Sequence, residues 1–171
     1  MYETNVDVDG NGTWDAHTIH ETGGGVEVHA DMNHDGRADF IGFDYDRDGL
    51  IDEAAYDTNY DGKFETAMAD TNGNGWQDVG ASDRNQDGYV DQAGVDRNED
   101  GHFDLVVEDN DYDRKADTVI ADRNLDGRTD LVAVDPDEDR QWDKVVADNN
   151  FNGTFETVTY GDPDTNPYAS H

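Results

Sequence analysis

The sequence predicts an all-β repeat protein, and three observations lead to this fold class. A motif of oxygen-bearing residues, D-x-[ND]-x-[DN]-x-x-x-[DE], returns every thirteen residues from Asp31 to Asp148. Between motifs lie short runs such as LVAVD at 131–135, and β-branched residues of this kind favour strands. No interval between motifs is long enough for a helix, which needs about a dozen residues to be marginally stable alone.

Alternation between successive units narrows the architecture. From residue 79 to residue 144, position 10, counted from the first Asp of the unit, is apolar in alternate units, namely at Val79, Leu105 and Leu131. In the intervening units it is polar, as at Thr118 and Lys144. A β-roll-like solenoid with two thirteen-residue units per turn, its parallel strands ~4.8 Å apart, would give this alternation and is the preferred prediction. An antiparallel meander with ion-bound hairpin loops would alternate too and is the alternative.

The repeat also sets the predicted domain organisation. Ten contiguous units fill residues 31–160, and a further unit occupies 7–19. The stretch 20–30 is two residues short and has lost the motif, so it is interpreted as a degenerate unit. We therefore expect one repeat domain over 1–160, because single units bury too little apolar surface to be stable without their neighbours. Residues 161–171 form a Pro-containing C-terminal tail.

The composition points to cations as partners. The chain has 43 acidic and 11 basic residues, a formal charge of −32, and only 33% hydrophobic residues, which is typical of disordered chains. Such a charge disfavours nucleic acid and anionic membrane surfaces as partners. No apolar run of ~18 residues is present, so membrane insertion is not expected. The chain has no Cys, which excludes disulfides and thiolate ligands.

The acids are concentrated at four positions of the unit. Positions 1, 3, 5 and 9 together hold 34 of the 43 acids, and positions 3 and 5 hold Asn wherever they lack Asp. Glu occurs among these positions only as Glu65 and Glu156, both at position 9. A solubilising surface would accept Glu freely and scatter its charges, so this pattern indicates coordination of a hard cation.

The predicted metal ligands follow from these four positions. They are Asp7, Asp31, Asp44, Asp57, Asp70, Asp83, Asp96, Asp109, Asp122, Asp135 and Asp148 at position 1; Asp9, Asn33, Asp46, Asn59, Asn72, Asn85, Asn98, Asp111, Asn124, Asp137 and Asn150 at position 3; Asn11, Asp35, Asp48, Asp61, Asn74, Asp87, Asp100, Asp113, Asp126, Asp139 and Asn152 at position 5; and Asp15, Asp39, Asp52, Glu65, Asp78, Asp91, Asp104, Asp117, Asp130, Asp143 and Glu156 at position 9.

Calcium is the cation that this pattern favours. Ca²⁺ takes 6–8 oxygen ligands in flexible geometry, whereas Mg²⁺ requires a strict octahedron and keeps several waters. Residues 1, 3 and 5 of a curled loop can turn inward, and Gly at position 6 supplies the positive φ of a sharp turn. About ten or eleven ions are expected.

The units that begin at Asp70 and Asp148 have only two carboxylates each and should bind most weakly. In two units Arg114 and Arg140 replace the Gly, at a cost of ~1 kcal/mol or more if φ is positive.

An EF-hand is excluded by the spacing. The EF-hand loop closes with a bidentate Glu at position 12, where this chain has mostly small or apolar residues. The acid lies at position 9 instead. Only four residues separate it from the next unit, so flanking helices cannot form.

Residues 7–19 and 31–160 resemble the tandem calcium-binding acidic repeats of the thrombospondin type 3 class. The resemblance lies in the D-x-[ND]-x-D-G-x-x-D ligand pattern; where that class has further Asp and disulfides, this chain has apolar residues and no Cys. The alternation of loop and short strand is also similar to the β-roll of repeats-in-toxin proteins. Both resemblances imply an extracellular or cell-surface protein, although residues 1–10 lack the basic and apolar regions of a secretory signal.

Other candidate sites are weaker. The cluster of His17, His20, His29 and His34 is open to two interpretations, surface histidines or a zinc or nickel site. Trp142 lies at the mostly apolar position 8 and is expected in the core, although the aromatic residues could instead line a carbohydrate-binding surface.

No nucleophile–base pair stands apart from the repeats, so we do not expect an enzyme. We expect a structural spacer or export-coupled folding module, with a calcium sensor or buffer, or an adhesion module for an unknown protein or carbohydrate, as the alternative.

Overall fold

A computed structural model describes Val8, Gly12, Thr13 and residues 15–161, and the described chain is all-β. The strands are β1 Ala16–Thr22, β2 Gly25–Asp31, β3 Phe40–Asp44, β4 Glu53–Tyr56, β5 Thr66–Ala69, β6 Val79–Ser82, β7 Gln92–Val95, β8 Leu105–Glu108, β9 Thr118–Ala121, β10 Leu131–Val134, β11 Lys144–Ala147 and β12 Thr157–Tyr160. The predicted all-β class is confirmed. The predicted C-terminal tail lies outside the described residues except for Gly161. Within the described residues, no helix has the length and hydrophobicity needed to span a bilayer.

The chain divides into two units, Met1–Ser82 and Asp83–His171, which we call the N-terminal and C-terminal units. In the N-terminal unit β1 to β6 pair in chain order, and every described pair is antiparallel. In the C-terminal unit β7 to β12 pair in the same way. The residues 20–30, interpreted above as a degenerate unit, form the end of β1, a tight turn and most of β2.

A nine-residue loop precedes each strand from β3 to β12. We number these loops in chain order as L1 31–39, L2 44–52, L3 57–65, L4 70–78, L5 83–91, L6 96–104, L7 109–117, L8 122–130, L9 135–143 and L10 148–156. Because neighbouring strands are antiparallel, consecutive loops of one unit lie at opposite ends of the strands. In the C-terminal unit L5, L7 and L9 share one end, while L6, L8 and L10 share the other.

The preferred prediction of a parallel, β-roll-like solenoid is not confirmed, because the paired strands run antiparallel; the observed arrangement is the alternative meander. The physical reason is the closure of each loop. In L6 the N–H of Asp104 donates to the C=O of Val95 at 2.8 Å, and in L1 Asp39 N–H donates to Ala30 C=O at the same distance. These contacts bring the two ends of a loop together, so that the chain reverses its direction.

The strand register explains the alternation at position 10. Leu105 and Leu131 are both paired with Ala121, so these side chains lie on one face of the sheet. Thr118 is paired with Glu108 and lies on the opposite face. A four-residue strand that reverses its direction at every unit presents the same repeat position to alternate faces.

The apolar core is small. In the N-terminal unit Ala30, Phe40 and Ala54 are buried together, and the rings of Phe40 and Tyr56 meet edge to face with centroids 5.1 Å apart. In the C-terminal unit Ala133 and Ala147 are buried. Most strand residues are only half-buried. The apolar side chains alone therefore give this fold little of the burial that usually stabilises a domain.

The position-8 side chains lie nearer to solvent than the sequence predicted. The expectation that Trp142 belongs to the core is wrong, because its exposed fraction is 42%. Position 8 is still used for packing where a Gly lies beneath it. A Cβ built on Gly94 would lie 2.7 Å from the ring of Phe103, so the ring covers the backbone of β7.

Candidate metal centres

The first Asp of each loop organises the backbone around it. In L3 one oxygen of Asp57 accepts the N–H of Asp61 at 3.1 Å, and the other accepts the N–H of Gly62 at 2.7 Å. The same pair of contacts recurs in L5, where Asp83 accepts from Asp87 and Gly88. Position 1 therefore holds the turn at positions 5 and 6 through its own carboxylate.

Positions 3 and 5 form the same local turn, one after the other. In L3 the Oδ1 of Asn59 accepts the N–H of Asp61 at 2.9 Å, and the Oδ1 of Asp61 accepts the N–H of Lys63 at 3.0 Å. Short Asp and Asn side chains make such contacts to the backbone two residues further on, whereas Glu and Gln are not favoured there. This requirement explains why positions 3 and 5 accept Asn but never Glu.

The carboxylate at position 9 closes the loop by accepting hydrogen bonds from N–H groups at positions 2 and 3. In L1 the Oδ2 of Asp39 accepts the N–H groups of Met32 and Asn33 at 2.9 and 3.0 Å. In L3 the longer Glu65 reaches the equivalent N–H of Thr58 at 2.8 Å. The position-9 carboxylate is thereby held against the opening half of the loop, although the N–H groups that it binds are six or seven residues away in sequence.

Two residues of every loop L1–L10 adopt the left-handed conformation. Position 6 has a positive φ throughout, including Arg114 at 81° and Arg140 at 72°, which confirms the sequence prediction for this position. Position 4 has a positive φ as well, for example Leu125 at 61° and Phe151 at 58°, and this was not predicted. The residues at position 4 range from Gly to Phe, so the residue type there does not indicate a left-handed conformation.

Carboxylates fill the space that apolar residues fill in an ordinary domain. Among the described residues, seven hydrophobic side chains are buried, but sixteen acidic ones are. All sixteen occupy position 1 or position 9: Asp15, Asp39, Asp44, Asp57, Glu65, Asp78, Asp91, Asp96, Asp104, Asp109, Asp117, Asp122, Asp130, Asp135, Asp143 and Asp148. Burying a carboxylate costs several kcal/mol unless a partner offsets the charge. The basic residues of the whole chain number eleven, too few to pair with sixteen buried acids.

Several of these acidic groups could hold a metal ion. In four loops three carboxylates bring their oxygens within 4.8 Å of one another, and the groups are Asp44, Asp46 and Asp48 in L2; Asp83, Asp87 and Asp91 in L5; Asp109, Asp111 and Asp117 in L7; and Asp135, Asp137 and Asp143 in L9. L2, L7 and L9 are the described loops that have Asp at position 3. In the remaining loops Asn supplies an amide oxygen instead of a carboxylate.

A fifth group joins two loops. Asp111 and Asp113 of L7 lie within 4.8 Å of Glu138 of L9. Lys115 is bound there, with its amino group 2.9 Å from Asp113 and in contact with Glu138. These hydrogen bonds, first to Glu138 and then to Asp113, raise the pKa of Lys115 well above its ordinary value. Sequence analysis missed Glu138, because it lies at position 4, outside the ligand pattern.

Two buried carboxylate oxygens of the described chain lack a hydrogen-bond partner and are therefore candidate ligands for a cation. Oε2 of Glu65 and Oδ1 of Asp135 are buried and have no hydrogen-bond partner among the described residues. A buried carboxylate oxygen without a partner is costly in a folded protein, and a bound ion would remove that cost. The predicted ligands in L3 and L9 are carboxylate and amide oxygens, which match a hard cation rather than a thiolate- or imidazole-binding metal.

Hydrogen bonds keep some of these carboxyls ionised. Partial desolvation acts against ionisation of Asp117, but hydrogen bonds from Thr118 and Asn110 hold its pKa below the ordinary value. At Asp148 desolvation is likewise outweighed by backbone N–H donors, foremost that of Gly153, and the pKa is lowered. Ionised oxygens are the form in which a carboxylate binds a metal.

In L8 a cationic side chain pairs with the carboxylate that closes the loop. The guanidinium of Arg123, at position 2 of L8, pairs with the closing carboxylate of Asp130. The same guanidinium donates to the C=O of Asp148 in L10 at 3.0 Å. Arg123 therefore offsets part of the charge that a bound ion would otherwise neutralise in L8.

The predicted N-terminal site is described only in part. Asp7, Asp9 and Asn11 lie outside the described residues. Asp15 is buried, and its Oδ2 accepts the N–H of Val8 at 2.7 Å. This is the contact from position 2 to position 9 seen in L1 and L3.

The histidine cluster is spread over the β1–β2 hairpin and L1. The rings of His20 and His29 meet edge to face, 5.2 Å apart, and His29 contacts Glu27. His17 belongs to the pairing position next to Thr18 and therefore to the other face of the hairpin. His34 lies in L1 at position 4. No group of three metal-binding side chains that includes these histidines comes together within the described residues.

No protein-family model matches the chain, and no curated protein or solved structure is significantly similar to it. The functional argument therefore depends on the repeat and on the geometry of its loops.

Proposed function

We propose that the protein is a calcium-binding repeat protein that folds on binding about ten or eleven Ca²⁺ ions. The observation that carries this proposal is the burial of sixteen carboxylates at positions 1 and 9 of the loops. These acids approach one another in a chain that has too few basic residues to neutralise them. Eleven Ca²⁺ ions would contribute +22 and change the formal charge from −32 to about −10.

The choice of calcium follows from the number and kind of donors. Positions 1, 3, 5 and 9 supply four oxygen-bearing side chains in each loop, with backbone carbonyls and water to complete the 6–8 ligands of Ca²⁺. Mg²⁺ would keep most of its own waters and use few of these donors. We therefore expect the ion-free chain to be disordered, because nearby like charges repel by an energy on the order of 1 kcal/mol or more per pair.

As a calcium-stabilised module, the protein would serve as a structural spacer or as an export-coupled folding device. Extracellular calcium is millimolar, and extracellular modules bind it at about 10⁻⁴–10⁻³ M. A chain of this kind stays unfolded where calcium is scarce and folds after it reaches the outside. Catalysis forms no part of the proposal, because the carboxylates are assigned to metal.

Circular dichroism and metal analysis test the proposal on the full chain. In millimolar Ca²⁺ we expect a strand spectrum and about ten or eleven bound ions after gel filtration, whereas excess EDTA should produce the spectrum of a disordered chain. Equimolar Mg²⁺ serves as the control and should restore much less of the strand signal. A strand spectrum unchanged by EDTA, together with no retained calcium, would contradict the proposal.

Exposed aromatic side chains favour adhesion as the second candidate function. Trp76 is 65% exposed, and Tyr60 and Tyr112 also lie on the surface of their loops. Tyr and Trp are enriched at binding interfaces, because one end of the side chain is apolar and the other is polar. Retention of the calcium-loaded protein on a panel of immobilised polysaccharides, weakened in Trp76→Ala, would support adhesion. If no polysaccharide retains the protein in the presence of calcium, carbohydrate adhesion is contradicted.

A further inference from the structure

Loops at the same end of the strands are joined through their backbones. The N–H of the position-1 residue donates to the C=O of the position-9 residue two units earlier. The four contacts within the C-terminal unit, each 2.8 Å from N to O, are Asp109 to Asp91, Asp122 to Asp104, Asp135 to Asp117 and Asp148 to Asp130. Two contacts of the N-terminal unit, Asp57 to Asp39 and Asp70 to Asp52, follow the same rule at the same distance.

Both partners of each contact are assigned to a metal site. Asp117 closes L7 with its side chain, while its C=O receives the N–H of Asp135, the first residue of L9. An ion held in L7 fixes the backbone at Asp117 and so fixes the acceptor that orders the opening of L9. The reverse holds as well, because coupling between two binding sites is reciprocal.

Side chains add to the contacts at each end. At one end the guanidinium carbon of Arg114 in L7 lies 3.6 Å from the centroid of the Tyr89 ring in L5. At the same end Lys115 of L7 contacts Glu138 of L9. At the other end the amide of Asn98 in L6 donates to the C=O of Leu125 in L8 at 3.1 Å. Each of these contacts joins loops that are two units apart in sequence.

Consecutive loops lack such contacts among those described above, because a strand lies between them. A four-residue strand spans ~13 Å. No backbone or side-chain contact described above joins L8 to L9, so an ion in L8 has no such contact through which to influence L9.

We propose that calcium binding is coupled between loops two units apart, along each end of the strands, and not between consecutive loops. In the C-terminal unit this gives two separately coupled sets, L5, L7 and L9 at one end and L6, L8 and L10 at the other. The inference rests on the proposed function, since it assumes that the loops bind calcium.

Trp142 in L9 serves as a local reporter for the test. Trp14 and Trp76 are replaced by Phe, so that Trp142 is the one tryptophan left, and its fluorescence is followed during a calcium titration of the full chain. L7 is then disabled by Asp109→Asn with Asp117→Asn. The matched control disables L8 by Asp122→Asn with Asp130→Asn, which removes the same positions and the same charge.

We expect the L7 variant to weaken apparent calcium binding at L9 at least fivefold and the L8 variant to weaken it less than twofold. Equal shifts from the two variants, including no shift in either, would overturn the coupling while leaving the proposed function intact. If the chain with Trp142 alone and all loops intact shows no response to calcium and binds none, the proposed function fails and the coupling with it.

A milder pair keeps the test decisive if a double variant does not fold in saturating calcium. Asp109→Asn in L7 and Asp122→Asn in L8 each change the position-1 ligand alone and leave the buried position-9 carboxylate in place. The same order of effects is expected, with a larger shift at L9 from Asp109→Asn. A larger shift from Asp122→Asn, or equal shifts, would overturn the coupling.

Discussion

At the scale of single residues, each loop depends on two left-handed positions and on short side chains beside them. Position 6 is Gly in most units, and the sequence alone indicates why. Position 4 has the same backbone requirement, yet it is filled by residues such as Tyr60 and Leu125, whose left-handed conformation costs energy. Hydrogen bonds offset that cost, because the conformation turns the N–H groups of positions 4 to 6 toward the carboxylate at position 1.

Gly101 tests the backbone requirement in isolation. Its φ is 87°, and no atom lies within 4 Å of the place where a Cβ would be added. Gly101→Ala should therefore lower the free energy of unfolding in calcium by roughly 1 kcal/mol through backbone strain alone. Gly101→Asn is the control, since Asn adopts this conformation more readily and should lose less. Urea denaturation at fixed calcium measures both, and equal stabilities would contradict the argument.

Arg123 tests whether an internal cation competes with the ion. Arg123→Ala removes the guanidinium from Asp130, so L8 should bind calcium several-fold more tightly. Arg97→Ala is the matched control, because Arg97 occupies position 2 of L6 and no ion pair of it is found among the described residues. The amide NMR signals of Gly127 and Gly101 report on L8 and L6 during a calcium titration. An unchanged or weaker L8 would contradict the competition.

At the scale of elements, the repeated unit is a closed loop followed by a four-residue strand. The sequence indicates both parts, because acids at fixed positions mark the loop and the run at 131–134 marks β10. The direction of the strand is a different matter. Alternation at Leu105 and Thr118 fits both a solenoid and a meander, and the contact that decides it, from Asp104 to Val95, is a backbone hydrogen bond without a sequence signal.

The packing of Phe103 on Gly94 tests how a loop is attached to its strand. Gly94→Val places a branched side chain where the ring lies, so we expect a loss of about 1–3 kcal/mol in the free energy of unfolding in calcium. Combining it with Phe103→Ala should make the two effects strongly non-additive, because the second change opens the space that the first requires. Additive losses in urea denaturation would show that the two residues do not interact.

At the scale of the whole molecule, buried charge takes the place of a buried apolar core. The acids at positions 1 and 9 could be predicted as ligands because their spacing is strict. Their burial could not, since acidic residues are seldom buried and composition alone indicates a disordered chain. Nor could the sequence indicate that Glu138 joins L7 to L9, because a contact between units depends on which loops share an end.

The lowered pKa values give the molecule a defined acid sensitivity. Asp117 and Asp148 have pKa values below the ordinary 3.8 in the folded state, so they stabilise it fully above about pH 4. That contribution is lost as the pH falls through the lowered values. Protons and Ca²⁺ compete for the same oxygens, so a higher calcium concentration should move the acid midpoint to lower pH. Tryptophan fluorescence against pH at two calcium concentrations measures this, and a midpoint independent of calcium would contradict it.

The reversal of the chain at every unit limits how a protein of this design can change in length. Deleting one thirteen-residue segment from the C-terminal unit would turn all the later loops to the opposite end of the strands and exchange the faces of their side chains. If residues 109–121 are the segment deleted, Leu131 would lie on the face that Thr118 now occupies, and L9 would lose L7 as its neighbour. Deleting twenty-six residues keeps every later loop at its own end, so viable shorter or longer versions should differ by pairs of repeats.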